Sequence, residues 1–176
     1  ELLYHVLSKK FKVMKTKGNF NSTTGAPLSI LTFSKDADIG IVEMGANHPG
    51  EIESICNIIK PNMGLITNIG EAHIGNFKSI NDIALTKSAL FSSLPEKGIA
   101  FINKDDDIIS KINVSCSKIE YSLNTAADYK GVWVKTNKQL QHAAGVIESY
   151  LTAKQYDVII PTQLDNLNDL TSSIQT

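Results

Sequence analysis

Glu43-Met44-Gly45-Ala46-Asn47-His48-Pro49-Gly50-Glu51-Ile52 follows an apolar stretch, Ile39-Gly40-Ile41-Val42, that reads as a buried strand. The strand runs out on a carboxylate, and a turn containing Gly and Pro then opens a helix. In open α/β sheets, ligands bind outside the carboxyl ends of the strands. Glu43 is therefore placed to hold a metal on a nucleotide phosphate, since Mg²⁺ prefers oxygen ligands. Equally, it can serve as an acid ahead of a helix N-terminus.

On either side of this stretch, strands alternate with helices. Upstream, Leu2, Leu3, Val6 and Leu7 share a helical face, and Phe11 to Thr16 alternate as a strand does. Lys17 to Gly25 is a polar loop, and Pro27 suits the first turn of the helix that follows. Downstream, Pro49 is expected to start a helix reaching Ile59, with Glu51 and Glu53 as first-turn acids. Met63 to Ile69 reads as a strand, Ser79 as the cap of a helix over 80–94 with Asp82 at its third position, and Ile99 to Ile102 as a further strand. Asn103-Lys104-Asp105-Asp106-Asp107 is a polar turn able to open another helix. The alternation predicts an α/β fold with a mostly parallel, doubly wound sheet. Past Lys118 the signal weakens to short strands at 119–122, 132–135 and 156–160 and helical character over 139–154.

Composition limits the function classes. The 176 residues, 42% of them hydrophobic and 20% charged, match one ordinary globular domain. A net charge of −1 offers no basic footprint for nucleic acid and no general attraction to a membrane surface. No apolar run approaches the ~18 residues that span a bilayer. Cys56 and Cys116 lack metal-type spacing and read as reduced thiols, which suits a cytosolic protein. The chain opens at Glu1 without a Met, inside a helical pattern, which reads as a fragment incomplete at its N-terminus or as a trimmed chain.

Four further groups carry chemistry, each with a plainer alternative. His73, in Gly70-Glu71-Ala72-His73, lies beyond a strand end and can ligate a metal or handle a proton; it can also be a satisfied surface histidine. Lys87 lies between Ile83 and Leu90 on the apolar face of its helix, so it must either snorkel or be used. Asn103, Asp105 and Asp106 can touch a nucleotide, or can be a helix cap with its acids. Gly18-Asn19-Phe20-Asn21 can hold an anionic substrate through amides, or simply connect two elements.

Taken in order, Thr16-Lys17-Gly18-Asn19-Phe20-Asn21, Gly25-Ala26-Pro27-Leu28, the Glu43 to Ile52 run, Ile66-Thr67-Asn68-Ile69-Gly70-Glu71-Ala72-His73, Lys87 and Asn103-Lys104-Asp105-Asp106 resemble the central ATP-binding domain of the Mur ligases. The resemblance is firm to about residue 110. The Glu43 to Glu51 run is most similar to the members that join D-alanyl-D-alanine to UDP-N-acetylmuramoyl-tripeptide. The resemblance implies a P-loop-type fold and a cytoplasmic, monomeric, ATP- and Mg²⁺-dependent amide-bond ligase of peptidoglycan synthesis. It implies Glu43, His73 and Lys87 at the metal, Lys87 as a carbamate, and Lys87 and His73 as the catalytic pair. It also implies Asn103 and Asp106 at the nucleotide, and Thr16, Asn19 and Asn21 at the UDP-muramoyl peptide.

The chain departs from the family's pattern in places. Ala89 stands where an acid is common, and Asn21-Ser22-Thr23-Thr24-Gly25 replaces a more usual pair of asparagines. A Gly-x-x-Gly-Lys-Thr-type phosphate loop is expected just before Glu1, so the isolated chain is expected to be inactive. Residues 1–130 are expected to form part of the central domain, with 131–176 its remainder or an unassigned segment. Two rival readings are another Mur ligase or a folylpolyglutamate synthase-like ligase, and a non-catalytic nucleotide-binding remnant.

Overall fold

A computed structural model of the chain describes residues 1–70 and 76–130. Among the described residues, four α-helices and six strands follow one another, alternating as far as β4: α1 (Leu2–Leu7), β1 (Val13–Lys15), α2 (Gly25–Leu31), β2 (Ile39–Ile41), α3 (Glu51–Ile59), β3 (Met63–Leu65), α4 (Ile80–Ser92), β4 (Ile99–Asn103), β5 (Ser117–Ser122) and β6 (Tyr129–Lys130). Every strand pair is parallel. β1 pairs with β2, and β3-β4-β5-β6 form a four-stranded sheet in chain order. The expected parallel α/β fold is thus present among the described residues; the readings placed on 131–176 lie outside them.

β4 shows why the fold has two apolar layers. Its residues are buried on both faces, as parallel strands require. Ala100 and Ile102 point into a core with Ile66, Ile69, Ile83 and Phe91, the last two from α4. Phe101 points the other way, into a core with Leu7 of α1, Ile119 and Tyr121. Val13, Ile39, Ile41, Met63 and Leu65 border this second core, so it runs on beneath both sheets. Helices cover opposite faces, which is the doubly wound arrangement.

Several boundaries differ from expectation, and side-chain competition for backbone groups explains them. The strand expected over Ile39 to Val42, running out on Glu43, stops at Ile41. The ladder continues once more, Thr16 N donating to Ile41 O at 2.9 Å. Then Glu43 N donates to the Thr16 hydroxyl at 3.1 Å, so a side chain replaces the next ladder bond. β3 ends at Leu65 for a similar reason, described below. Pro49 does not begin α3: Gly50 is its N-cap, at φ +84°, a left-handed conformation that glycine adopts without strain. Glu51 is more than a dipole acid. Its Oε2 accepts from Asn47 N at 2.6 Å and His48 N at 3.1 Å, folding the preceding turn onto the helix. Those N–H groups, Asn47's first, hold its carboxyl below the usual range against the opposing effect of burial.

The turn after β4 opens only a single 3-10 turn, Ile109–Lys111, not a longer helix. Asn103 is the last strand residue, and Asp106 is the acceptor for Ile108 N and Ile109 N at 3.0 and 2.9 Å. Asp105 turns the other way and accepts from Ser122 Oγ, Leu123 N and Asn124 N.

The cap of α4 forms as expected. Ser79 Oγ accepts from Asp82 N at 3.2 Å and lies 3.1 Å from the Asp82 carboxylate. Ser79→Ala is expected to lower stability by about 1 kcal/mol, the usual cost of losing an N-cap, measured by urea denaturation.

Candidate active site at the strand exits

Three neighbouring exits form the candidate site. At the first, the loop after β1 returns against the exit of β2. Asn21 Nδ2 donates to Glu43 Oε1 at 3.1 Å, and Gly45 N donates to Asn21 O at 2.8 Å. A Cβ on Gly45 would stand 3.1 Å from the Asn21 side chain, so this close approach depends on glycine. Thr16 is buried and receives Glu43 N, whereas Glu43 itself is exposed. Thr16, Asn21 and Glu43 are thus brought together. Asn19 is not joined to them: it is exposed, and its backbone carbonyl accepts Asn21 N.

The second exit is the Thr67-Asn68-Ile69 segment after β3. Lys87, from α4, reaches it and donates from Nζ to Asn68 O at 3.0 Å. The lysine is half-buried. Burial pulls its pKa below the ordinary lysine value, and the negative field of Asp106 opposes that shift. A weakened hold on its proton is what the chemistry of a reacting amine requires.

The third exit, after β4, is tied to the second. Asn103 is almost wholly buried, donating from Nδ2 to Thr67 O at 3.0 Å and accepting Asp105 N on Oδ1 at 3.0 Å. Asp106 Oδ2 accepts from Ile69 N at 2.8 Å. Ala46, beyond the β2 exit, packs on the core containing Ile66 and Ile69, so the three exits adjoin. His73 lies outside the described residues. Among those described, no group of three or more His, Cys, Asp or Glu converges on a metal position.

The profile of the family described as Mur ligase middle domain matches residues 1–164. This chain belongs to the Mur ligase family. A UDP-N-acetylmuramoyl-tripeptide–D-alanyl-D-alanine ligase of Rickettsia prowazekii is 32% identical over 167 residues, 92% of this chain and 36% of that protein. The enzyme of the same name from Synechocystis is 40% identical over 109 residues, 62% of this chain and 24% of that protein. The crystal structure of the MurF ligase of Thermotoga maritima in complex with ADP superposes with a TM-score of 0.72 at 28% identity, covering 86% of this chain and 42% of that one. The chain therefore spans about a third of the length of the first of these curated Mur ligases.

Three residues in and around the site play parts that the sequence reading did not give them. Asn68 contributes a backbone carbonyl, which no residue identity can signal. Asp105 had been grouped with the nucleotide turn but clamps the end of β5. Glu51 left a legible trace: a Glu three residues after His48 is the spacing at which a carboxylate reaches back to a preceding N–H.

Proposed function

We propose that these residues form the ATP-binding core of a MurF-type ligase, which joins D-alanyl-D-alanine to UDP-N-acetylmuramoyl-tripeptide in the cytoplasm. The observation that carries this reading is the placing of Glu43, held by Asn21, after β2 and of Lys87, held by Asn68, against the segment after β3 in a chain of this family. In the proposed reaction, the terminal phosphoryl group of ATP passes to the peptide carboxylate, giving an acyl phosphate and ADP. The amine of D-alanyl-D-alanine attacks the acyl carbon, phosphate leaves, and the amide bond remains.

The donor set fits magnesium. Glu43 offers an exposed carboxylate whose Oε1 is oriented by Asn21, and a hard oxygen donor of this kind suits the ion. Burial lowers the pKa of Lys87, and a neutral amine can take up CO₂ to become a second carboxylate-like donor. Glu43, Lys87 and His73 are the residues that would hold the metal. Bound there, it would offset charge on the transferring phosphoryl group. Thr16 and Asn21 shape the β2 exit, and with Asn19 they would face the muramoyl peptide.

The test is phosphate release by the complete enzyme containing these residues. Release is expected only when ATP, Mg²⁺, UDP-N-acetylmuramoyl-tripeptide and D-alanyl-D-alanine are all present. Equal release with a single amino acid in place of the dipeptide would assign the chain to another ligase of the family. No release with the full set would sink the reading.

A further inference from the structure

The segment leaving β3 is held at three consecutive residues by side chains from elsewhere. Thr67 O accepts from Asn103 Nδ2, Asn68 O accepts from Lys87 Nζ, and Ile69 N donates to Asp106 Oδ2. Two of the three holders come from the end of β4 and the turn after it, more than thirty residues away in sequence. Both are already engaged within the protein. Asn103 is 1% exposed and uses Oδ1 and Nδ2 within the protein. Asp106 spends Oδ1 on Ile108 N and Ile109 N, and Oδ2 on Ile69 N. Burial closes Asn103 to a nucleotide, and drawing the Asp106 carboxylate away would leave the Ile69, Ile108 and Ile109 amides without this partner, which costs more than a new hydrogen bond returns.

We propose that Asp106, together with Asn103, is a positioning residue that fixes the Thr67–Ile69 backbone against Lys87 and does not contact the nucleotide. One carboxylate thus serves two loops: Oδ1 caps the turn that it belongs to, and Oδ2 anchors the neighbouring exit. Among the described residues Lys87 donates its hydrogen bond to Asn68 O, so the place of its amine depends on that anchor. The catalytic consequence rests on the proposed ligase reading; the anchoring itself does not.

Asp106→Ser separates the two jobs. A serine hydroxyl can still cap Ile108 and Ile109, as Ser and Asp are comparable N-caps, but it is too short to reach Ile69. Amide hydrogen exchange in the full chain is expected to speed up at Ile69 by about tenfold or more, while the Ala100 amide within β4 keeps its protection. In the complete enzyme, kcat is expected to fall by about tenfold or more while KM for ATP and Kd for Mg-ADP stay within about threefold, the pattern of misplacement without lost binding. Unchanged exchange at Ile69 would overturn the proposal, as would a loss of ADP affinity of tenfold or more, whatever the exchange shows. If the parent enzyme binds no nucleotide, the ligase reading fails and the exchange measurement still decides the anchoring. Should Asp106→Ser not fold, Asp106→Asn, whose single oxygen cannot serve both loops, is measured in the same way.

Discussion

Replacing Lys87 with Arg is expected to lower ligation by the complete enzyme by about 10²- to 10³-fold, the loss that follows removal of one preorganised electrostatic group from a reacting centre. The two side chains carry the same charge at neutral pH, so a role in bulk electrostatics predicts little change. They differ in what burial can do to them. Lysine shifts its pKa readily when desolvated, whereas the guanidinium stays protonated and cannot take up CO₂. Lys87 already sits below the ordinary lysine value because of burial, with only the field of Asp106 opposing. Phosphate release by Lys87→Arg, followed at several bicarbonate concentrations, checks this. Activity within threefold of the parent would show that the amine is a passive cation.

The same shift has a sign in stability. Between the folded value of Lys87 and the ordinary lysine value, the unfolded chain binds more protons at this position than the folded one. The contribution of the side chain to stability therefore rises with pH across that window, and falls away as the pH drops through the folded value. Lys87→Met removes the proton and should flatten this part of the pH dependence in denaturant unfolding. A variant with the parent's slope would place the lysine in solvent.

How much of this was legible beforehand depends on which atoms do the work. The parallel fold was readable because it rests on apolar periodicity and punctuation: Ile39 to Val42, Met63 to Ile69 and Ile99 to Ile102 each stand between helical patterns. The α4 cap was readable because Ser79 and Asp82 act within four residues of each other. The strand ends were not. β2 and β3 stop where Thr16, Asn103, Lys87 and Asp106 take over backbone groups, and all four lie outside the strands that they stop. Such competition is tertiary and leaves no local signature. Asn103 and Asp106 illustrate the gap: as residue types after a strand they suit a nucleotide or a cap, and only their partners reveal the ties to Thr67 and Ile69. Glu43 and Lys87 were singled out individually, whereas the packing of Ala46 on the core that contains Ile66 and Ile69 had no trace in the sequence.

Phe101→Ala is expected to cost about 3–5 kcal/mol, the usual penalty for emptying a buried aromatic site. The ring is 1% exposed and lies on β4, paired on one side with Leu65 of β3 and on the other with Ile119 of β5. Its core partners come from α1 and β5, so truncation removes contacts that no single helix can restore by shifting. A loss of that size is a large fraction of the roughly 5–15 kcal/mol that stabilises a typical domain. Leu31→Ala, at a side chain 81% exposed on α2, is the matched control and should change stability by no more than about 0.5 kcal/mol. Urea midpoints for the two variants measure the difference. The consequence reaches the site, because Asn103 and Asp106 follow Phe101 on the same strand and its turn. Loosening β4 is expected to speed amide exchange at Ile69 before the sheet unfolds as a whole. If Phe101→Ala unfolds at the parent midpoint, β4 is not the strand on which the two apolar layers depend, and the ties that it sends to β3 must be held from elsewhere.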